Sequence, residues 1–531
     1  MKSGFFVTFL ALCALVYTLP TWAEESTSTQ STTQSSELKV QQLMARAEAL
    51  QKAMVELQKE IQTLQAQKVS QSTQKDTTQT ASETSHETSS IKTPLYARVE
   101  HEGVSLEKHL SHHYHPIALE ADGTVLTYIA GTPVVTSPYL GEGPAFDASD
   151  VIINISKVNQ DLRLMERRAV MEKSFESHGL SAPETPIIAL SGKLEPYAIA
   201  SDPYVGDPSW DIDLGSAELD IAATFNPWTE GLISFAYDAA PPATGGQRIS
   251  NSSVSVDRAF VNVGNLNETP VYFTTGQFYM PFGQYSSNMV SSPVTLSLGR
   301  VQARAVMLGY KHLEPEGIYG GVFGYKTDTT GGQDLAGGGS LAYDFSEGPA
   351  SGRLGASVVS NIADSNGMQS TGGSGGAFSG FGTSSATEAV TQVPGYDVQG
   401  LLNYGPYGLI AEWVTAAESF ETSDLSFNGT GALPQALNVE GSYSFQSAKK
   451  PTAVALGYSV TQDALALFLP RERYSAVVNV SWWRDTVESL EYRHDVDYAE
   501  SDSAAGIGST VATTGTGHSS DTVTAQLGVY F

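Results

Sequence analysis

From Ile187 to the carboxy-terminus, apolar and polar residues alternate in runs of about ten, the length a tilted strand needs to cross a bilayer. The final run shows the pattern most cleanly. Val523, Ala525, Leu527, Val529 and Phe531 share one face of an extended strand, and Thr522, Thr524, Gln526 and Gly528 share the other. Clusters of Gly, Pro, Asn and Asp separate the runs. The pattern predicts strands over Ile187–Ala200, Asp211–Phe225, Gly231–Ala239, Val254–Gly264, Pro270–Phe278 and Arg300–Lys311. It continues over Gly317–Thr327, Gly337–Phe345, Arg353–Ile362, Tyr396–Tyr404 and Leu409–Ala417. The last are Ala436–Phe445, Thr452–Val460, Arg473–Arg484, Val487–Asp497 and Ser520–Phe531. Sixteen is even, as in bacterial barrels, and connections alternate between short and long. Asn226–Glu230, Gly405–Tyr407 and Gln446–Pro451 read as periplasmic turns. Ala363–Gly395, Phe420–Leu433 and Tyr498–Ser519 read as external loops.

The expected fold is therefore an all-β membrane protein: an antiparallel barrel of about sixteen strands over residues 187–531, wide enough for an aqueous channel. Segments 1–186 carry other periodicities. Residues 1–23 have Lys2, an apolar run from Phe5 to Val16, and Ala23 before Glu24, which reads as a secretory signal peptide. A polar linker, 24–36, leads to residues 37–68. There Val40, Ala47, Met54 and Ile61 occupy a positions and Leu43, Leu50, Leu57 and Leu64 occupy d positions of a coiled coil. Residues 40–64 thus predict homo-oligomerisation, without fixing the number of chains. Residues 69–95 read as a second, disordered linker. Residues 96–186 read as a small periplasmic domain or a segment folded into the lumen, with a helix over Lys157–Ser177.

Composition agrees with this picture. Charged residues make up only 16 % of the chain, with 50 glycines, and no later segment is long and apolar enough for a spanning helix. The formal charge of −28 opposes nucleic-acid binding, which needs a cationic surface. Acidic external loops instead suit divalent cations bridging lipopolysaccharide phosphates. The one cysteine, Cys13, lies in the signal segment after Leu12, which does not suit a lipid-attachment site, so thiols carry no function in the mature chain. The expected location is the outer membrane of a Gram-negative cell.

No nucleophile elbow, metalloprotease motif or phosphate-cradling loop is present, so no enzymatic activity and no cofactor are expected. His109 and His113, four residues apart, would share a helix face and could hold a metal, but no cysteine or carboxylate pair completes the set. Barrel cations are more informative. If Val301, Ala303, Ala305 and Met307 face lipid, then Arg300, Gln302 and Arg304 face the lumen, where guanidiniums favour anions. By the same alternation Glu491 and Arg493 face inward, with His494 on the outer face; Arg258 and Arg353 are further lumen candidates. Each could equally belong to a structural ion-pair ladder.

Four strings complete the reading: Thr132-Pro-Val-Val-Thr-Ser-Pro-Tyr-Leu-Gly141, Gly276-Gln-Phe-Tyr-Met-Pro-Phe-Gly283, Asp463-Ala-Leu-Ala-Leu467 and Val487-Glu-Ser-Leu-Glu-Tyr-Arg-His494. With the order signal peptide, coiled coil, short domain and barrel, they resemble the LbtU family of siderophore porins, of the legiobactin-receptor type. The second string is also similar to strands of phosphate-selective porins. The resemblance covers nearly the whole mature chain. It implies uptake of a ferric siderophore of the citrate or hydroxycarboxylate type, without a TonB-dependent plug. It carries over no binding residue. The alternatives are a general or phosphate-like anion-selective porin, and an envelope-tethering or adhesion protein.

Overall fold

The structure is a computed structural model. It describes residues 125–129, 132–136, 157–177, 186–238, 253–313, 316–329, 334–369, 380–381, 390–483, 485–507 and 512–531. The expected signal peptide, linkers, coiled coil, His109 and His113 lie outside the described residues.

Sixteen strands form the barrel. They are β1 (Ile187–Asp202), β2 (Ser209–Asn226), β3 (Thr229–Asp238), β4 (Ser253–Val263), β5 (Val271–Tyr279), β6 (Gln302–Lys311), β7 (Gly317–Lys326) and β8 (Leu335–Glu347). The second half comprises β9 (Ala350–Val359), β10 (Gly395–Tyr404), β11 (Tyr407–Ala416), β12 (Gln435–Ser447), β13 (Lys450–Gln462), β14 (Glu472–Val480), β15 (Thr486–Val496) and β16 (Ser519–Tyr530). Each pairs antiparallel with the next, and β16 pairs with β1 through Val523↔Ala200, Ala525↔Ala198 and Val529↔Leu194. Closure satisfies every ladder and leaves no sheet edge in lipid. Phe531 extends the seam: its amide donates to the Gly192 carbonyl at 2.9 Å, and its carbonyl oxygen accepts the Gly192 amide at 2.7 Å.

The outer face explains the closure. Val306, Leu308 and Tyr310 on β6, Leu490 and Tyr492 on β15, and Leu527 on β16 are exposed large apolar side chains. Water would oppose such a belt; a bilayer accepts it, so the barrel resides in an outer membrane. Tyrosines flank it, with Tyr407–Tyr443 and Tyr458–Tyr474 ring centroids each 5.2 Å apart. The short turns carry the left-handed backbone such turns require, as at Ala448 (φ 51°) and Lys449 (φ 63°). Among the described residues no helix is long and apolar enough to cross a membrane.

The interior is occupied. Helix α1 (Gln160–Ser177) packs on the inner faces of β2 to β6, with Leu162 and Met165, and Val158 just ahead of the helix, fully buried. Residues 280–301, between β5 and β6, fold inward and include the short helix α2 (Val294–Gly299). Above them, the β9–β10 connection folds back, its Asn366 amide bonding the Arg300 carbonyl at 2.8 Å. The two long connections after β11 and β15 pair with each other: Leu425–Phe427, Thr430–Gly431, Ser503–Gly506 and Thr513–Thr514 form a four-stranded sheet. One contiguous apolar cluster runs from Leu162 on α1 to Phe381, Leu425 and Tyr498 in these connections.

Candidate functional site in the lumen

Two polar systems divide the lumen. The first ties α1 to the wall. Arg258 on β4 is fully buried and bonds the Glu218 carboxylate and the Gln160 side chain, and its Nη2 donates to Ser234 Oγ at 2.9 Å. Lys157 pairs with Asp257 at 2.7 Å and Glu218 at 3.0 Å. Asn262 donates to the Asp161 carbonyl at 2.9 Å, and Thr274 donates to its carboxylate at 3.2 Å. Further along α1, Arg168 donates to the Gly264 carbonyl at 2.5 Å and pairs with Glu230 at 3.5 Å. Glu166 pairs with Lys311 at 3.5 Å. Burial pushes the Asp161 carboxyl up to about 6, against the opposing pull of the Leu162 amide and the Thr274 hydroxyl. Burial likewise raises Glu166, opposed by Lys311.

The second system holds the inward loop 280–301 across the barrel. Its ends join β5 and β6, yet its middle is gripped by β11, β12, β14 and β15, five or more strands away in either direction. Three carboxylates do the gripping, each accepting backbone N–H groups. Glu412 accepts the Gln284 and Tyr285 amides at 2.6 and 2.9 Å and the Thr295 hydroxyl at 2.6 Å. Glu440 accepts the Ser287 hydroxyl and the Asn288 amide, both at 2.7 Å. Glu491 accepts the Val290 and Ser291 amides at 2.5 and 2.9 Å. An irregular loop in an enclosed lumen must satisfy its amides, and charged acceptors do so most strongly. Neither Glu412 nor Glu440 was among the residues singled out by sequence. Their partners lie 128 and 152 positions away, so no local signal marks them.

The expected site residues separate under this geometry. Arg300, at the end of α2, lies in the lumen, half-buried, its guanidinium 4.7 Å from the centre of the Tyr279 ring. Gln302 is part-buried and donates to the Asp257 carbonyl at 2.6 Å. Arg304 corrects the expectation for its strand. It is exposed and shares the face of Val306, Leu308 and Tyr310, while Ala305, Met307 and Lys311 point inward. It reaches Gln277 at 3.4 Å on the outer surface, so Arg300 and Arg304 do not stack on one lumen wall. Glu491 faces inward as the phase predicts, with its oxygens occupied by the loop. Arg493 faces inward beside Asp495, Nε to carboxylate 3.1 Å. The same carboxylate binds Arg473 at 2.7 Å, a cation not singled out by sequence. Arg258 belongs to the α1 anchor, and Arg353 pairs with Asp344 at 2.8 Å beside Gln284. His494 pairs with Asp521 at 2.8 Å on the outer face. Behind the loop, a narrow crevice is bounded by Gln284, Arg353, Gln399, Leu401, Ile410 and Glu412.

No family model matches the chain. The UPF0422 protein lpg2959 of Legionella pneumophila strain Philadelphia 1 is 48 % identical over 426 residues, covering 79 % of this chain and 80 % of its own length. The chain belongs to the UPF0422 family. A UPF0422 protein of Coxiella burnetii is 38 % identical over 401 residues, 74 % of this chain and 83 % of that one. Solved structures similar to this UPF0422 protein include the outer-membrane channel DcaP of Acinetobacter baumannii, with a TM-score of 0.41 and 14 % identity over 66 % of this chain and 99 % of that one. An anion-selective porin from Comamonas acidovorans has a TM-score of 0.43 and 12 % identity over 65 % of this chain and 100 % of that one. At those values the barrel of the UPF0422 protein rests on its own strand pairing, β1 through β16 and back.

Proposed function

We propose that this UPF0422 protein takes up a ferric siderophore of the citrate or hydroxycarboxylate type across the outer membrane, independently of TonB. One observation carries the reading. The Arg300 guanidinium has no hydrogen-bonded or ion-paired partner among the described residues, and it stacks on Tyr279 where the inward loop leaves the wall. A guanidinium fixed by an aromatic face in a narrow lumen binds carboxylate oxygens without first breaking an ion pair. The resemblance to the LbtU family supplies the ligand class. Residues 40–64 would associate the chains, and the acidic loops would bind lipopolysaccharide through divalent cations.

Arg300→Glu is expected to depress ferric-siderophore uptake while leaving folded barrel unchanged. Arg304→Glu, on the outer face, is expected to leave uptake intact. Equal uptake by wild type and Arg300→Glu removes Arg300 from the mechanism. Arg300 would also serve small anions, as in an anion-selective porin. Conductance in a planar bilayer tells the two apart, because a general porin passes chloride and phosphate without preference for the chelate.

A further inference from the structure

The inner wall is covered unevenly. α1 lies over β2 to β6, and the inward loop is fixed to β11, β12, β14 and β15. Between those covers, among the described residues, the wall consists of β16 and β1, with the strand Thr132–Thr136 pairing in parallel with Ile188–Leu190 at the start of β1. Thr524 pairs with Ile199 and Gln526 with Tyr197 across the seam, on the face opposite Val523, Ala525 and Leu527. Thr524, Gln526, Tyr197, Ile199 and Ser201 are all half-buried. Inner-face residues beneath the covers are closed off: Ser234, Arg258, Asn262, Thr274 and Glu440 are at most 1 % exposed.

Cations stand at the head of this strip. Arg493 lies opposite Thr522 on β16, which lies opposite Ser201 on β1. Asp495 is shared, binding Arg473 through Nε at 2.7 Å and Nη2 at 3.2 Å and Arg493 through Nε at 3.1 Å. Arg473 also donates to the Ser292 carbonyl at 3.2 Å. Glu491 is consumed by the inward loop, and Asp497 accepts the Thr516 amide and hydroxyl at 2.8 and 2.6 Å. The two Nη groups of Arg493 make no hydrogen bond or ion pair among the described residues, and its side chain is 25 % exposed. Tyr204, from the β1–β2 turn, sits in the field of both arginines, and burial holds its hydroxyl protonated as a donor.

We propose that solute moves along the β15–β16–β1 seam and that Arg493 is its oxyanion contact, recognising a small carboxylate- or phosphate-bearing solute whose other oxygens meet Ser201, Thr524 and Gln526. The free fork of Arg493 matches two oxygens of such a group, and the neutral amide and hydroxyls below accept and donate without trapping it. The seam rests on the channel reading but not on any particular iron chelate.

The expected mature chain contains no cysteine, so single substitutions label uniquely. Thr524→Cys and Ile199→Cys are compared with Ser234→Cys under α1 and Ser459→Cys under the loop, in the full-length protein in planar bilayers. An anionic methanethiosulfonate is expected to cut the current of the seam variants by more than half and to leave the covered ones unchanged. No block at the seam, or equal block at all four positions, overturns the assignment. Arg493→Gln is then measured in citrate and in phosphate gradients. The expected result is a drop of about tenfold in preference for the anion, from one lost charged hydrogen-bond pair. A drop for only one of the two anions identifies the group recognised, and no drop for either removes Arg493. Small-ion current is the readout throughout, so failed ferric uptake would leave this result independently legible.

Discussion

Glu440→Gln tests the grip on the inward loop. The Glu440 carboxylate is 1 % exposed and accepts four hydrogen bonds. Ser287 and Asn438 approach one oxygen at 2.7 and 3.0 Å; the Asn288 amide and side chain approach the other at 2.7 and 3.2 Å. A glutamine keeps one acceptor oxygen and turns the other position into a donor that faces donors. Two charge-assisted bonds are lost, about 3–6 kcal/mol before relaxation. Lumen water replaces part of that, leaving about 2–4 kcal/mol. Local opening of the loop should therefore rise about 30- to 800-fold. Amide exchange over residues 284–291 reads this directly, with α1 amides as the internal reference. Change of less than about threefold, under ~0.7 kcal/mol, would show that the carboxylate does not hold the loop. Equal acceleration in α1 would show global loosening instead.

Three further outcomes follow from the same geometry. Arg258→Met leaves buried Asp220 without its ion-pair partner and Glu218 with Lys157 alone, and should cost about 3–5 kcal/mol, seen as a lower temperature at which folded barrel converts to unfolded on a gel. An unchanged conversion temperature would contradict the anchor. Asp161 has its folded value raised to about 6 from 3.8, so its ionised form is the penalised one. The helix should gain stability as pH falls through about 6, with the gain complete below the unfolded value. Protection of α1 amides at pH 7.5 and pH 5, relative to their intrinsic exchange, measures this, and Asp161→Asn should reduce the difference, the rest coming from Glu166, which burial also raises. Gly192→Leu places a carbon 2.6 Å from the Phe531 ring and 2.9 Å from the Glu218 carbonyl, and should lower the yield of folded barrel. Phe531→Ala should not rescue it, because the carbonyl cannot move; full rescue would mean that the ring alone sets the limit.

Strand order and closure were legible because one constraint dominates them. Lipid demands apolar side chains at every second position, and β16 shows this without ambiguity: Ala525 and Leu527 outside, Thr524 and Gln526 inside. On β6 the same rule misleads. Its inner residues Ala305 and Met307 join the apolar cluster that contains Leu162 and Met165, so both faces are apolar. A phase error of one residue then sends Arg304 to the wrong side. Arg300 escapes the error because it precedes the strand. The loop-holding role of Glu412, Glu440 and Glu491 was not legible, since amides have no sequence signature and the loop reaches them from across the barrel. The inner residues of the closing strand, Thr524 and Gln526, are neutral, and the alternation assigns them a face but no role. Their half-buried state, beside the stretches that α1 and the loop cover, makes them an open part of the wall among the described residues.

The central claim is best tested by uptake of radiolabelled ferric citrate-type siderophore in iron-limited cells, deleted for this protein and complemented, with and without the proton-motive force. Uptake is expected to fall on deletion, to return on complementation, and to keep its outer-membrane step when the proton-motive force is collapsed. Wild-type uptake in the deleted strain would contradict it.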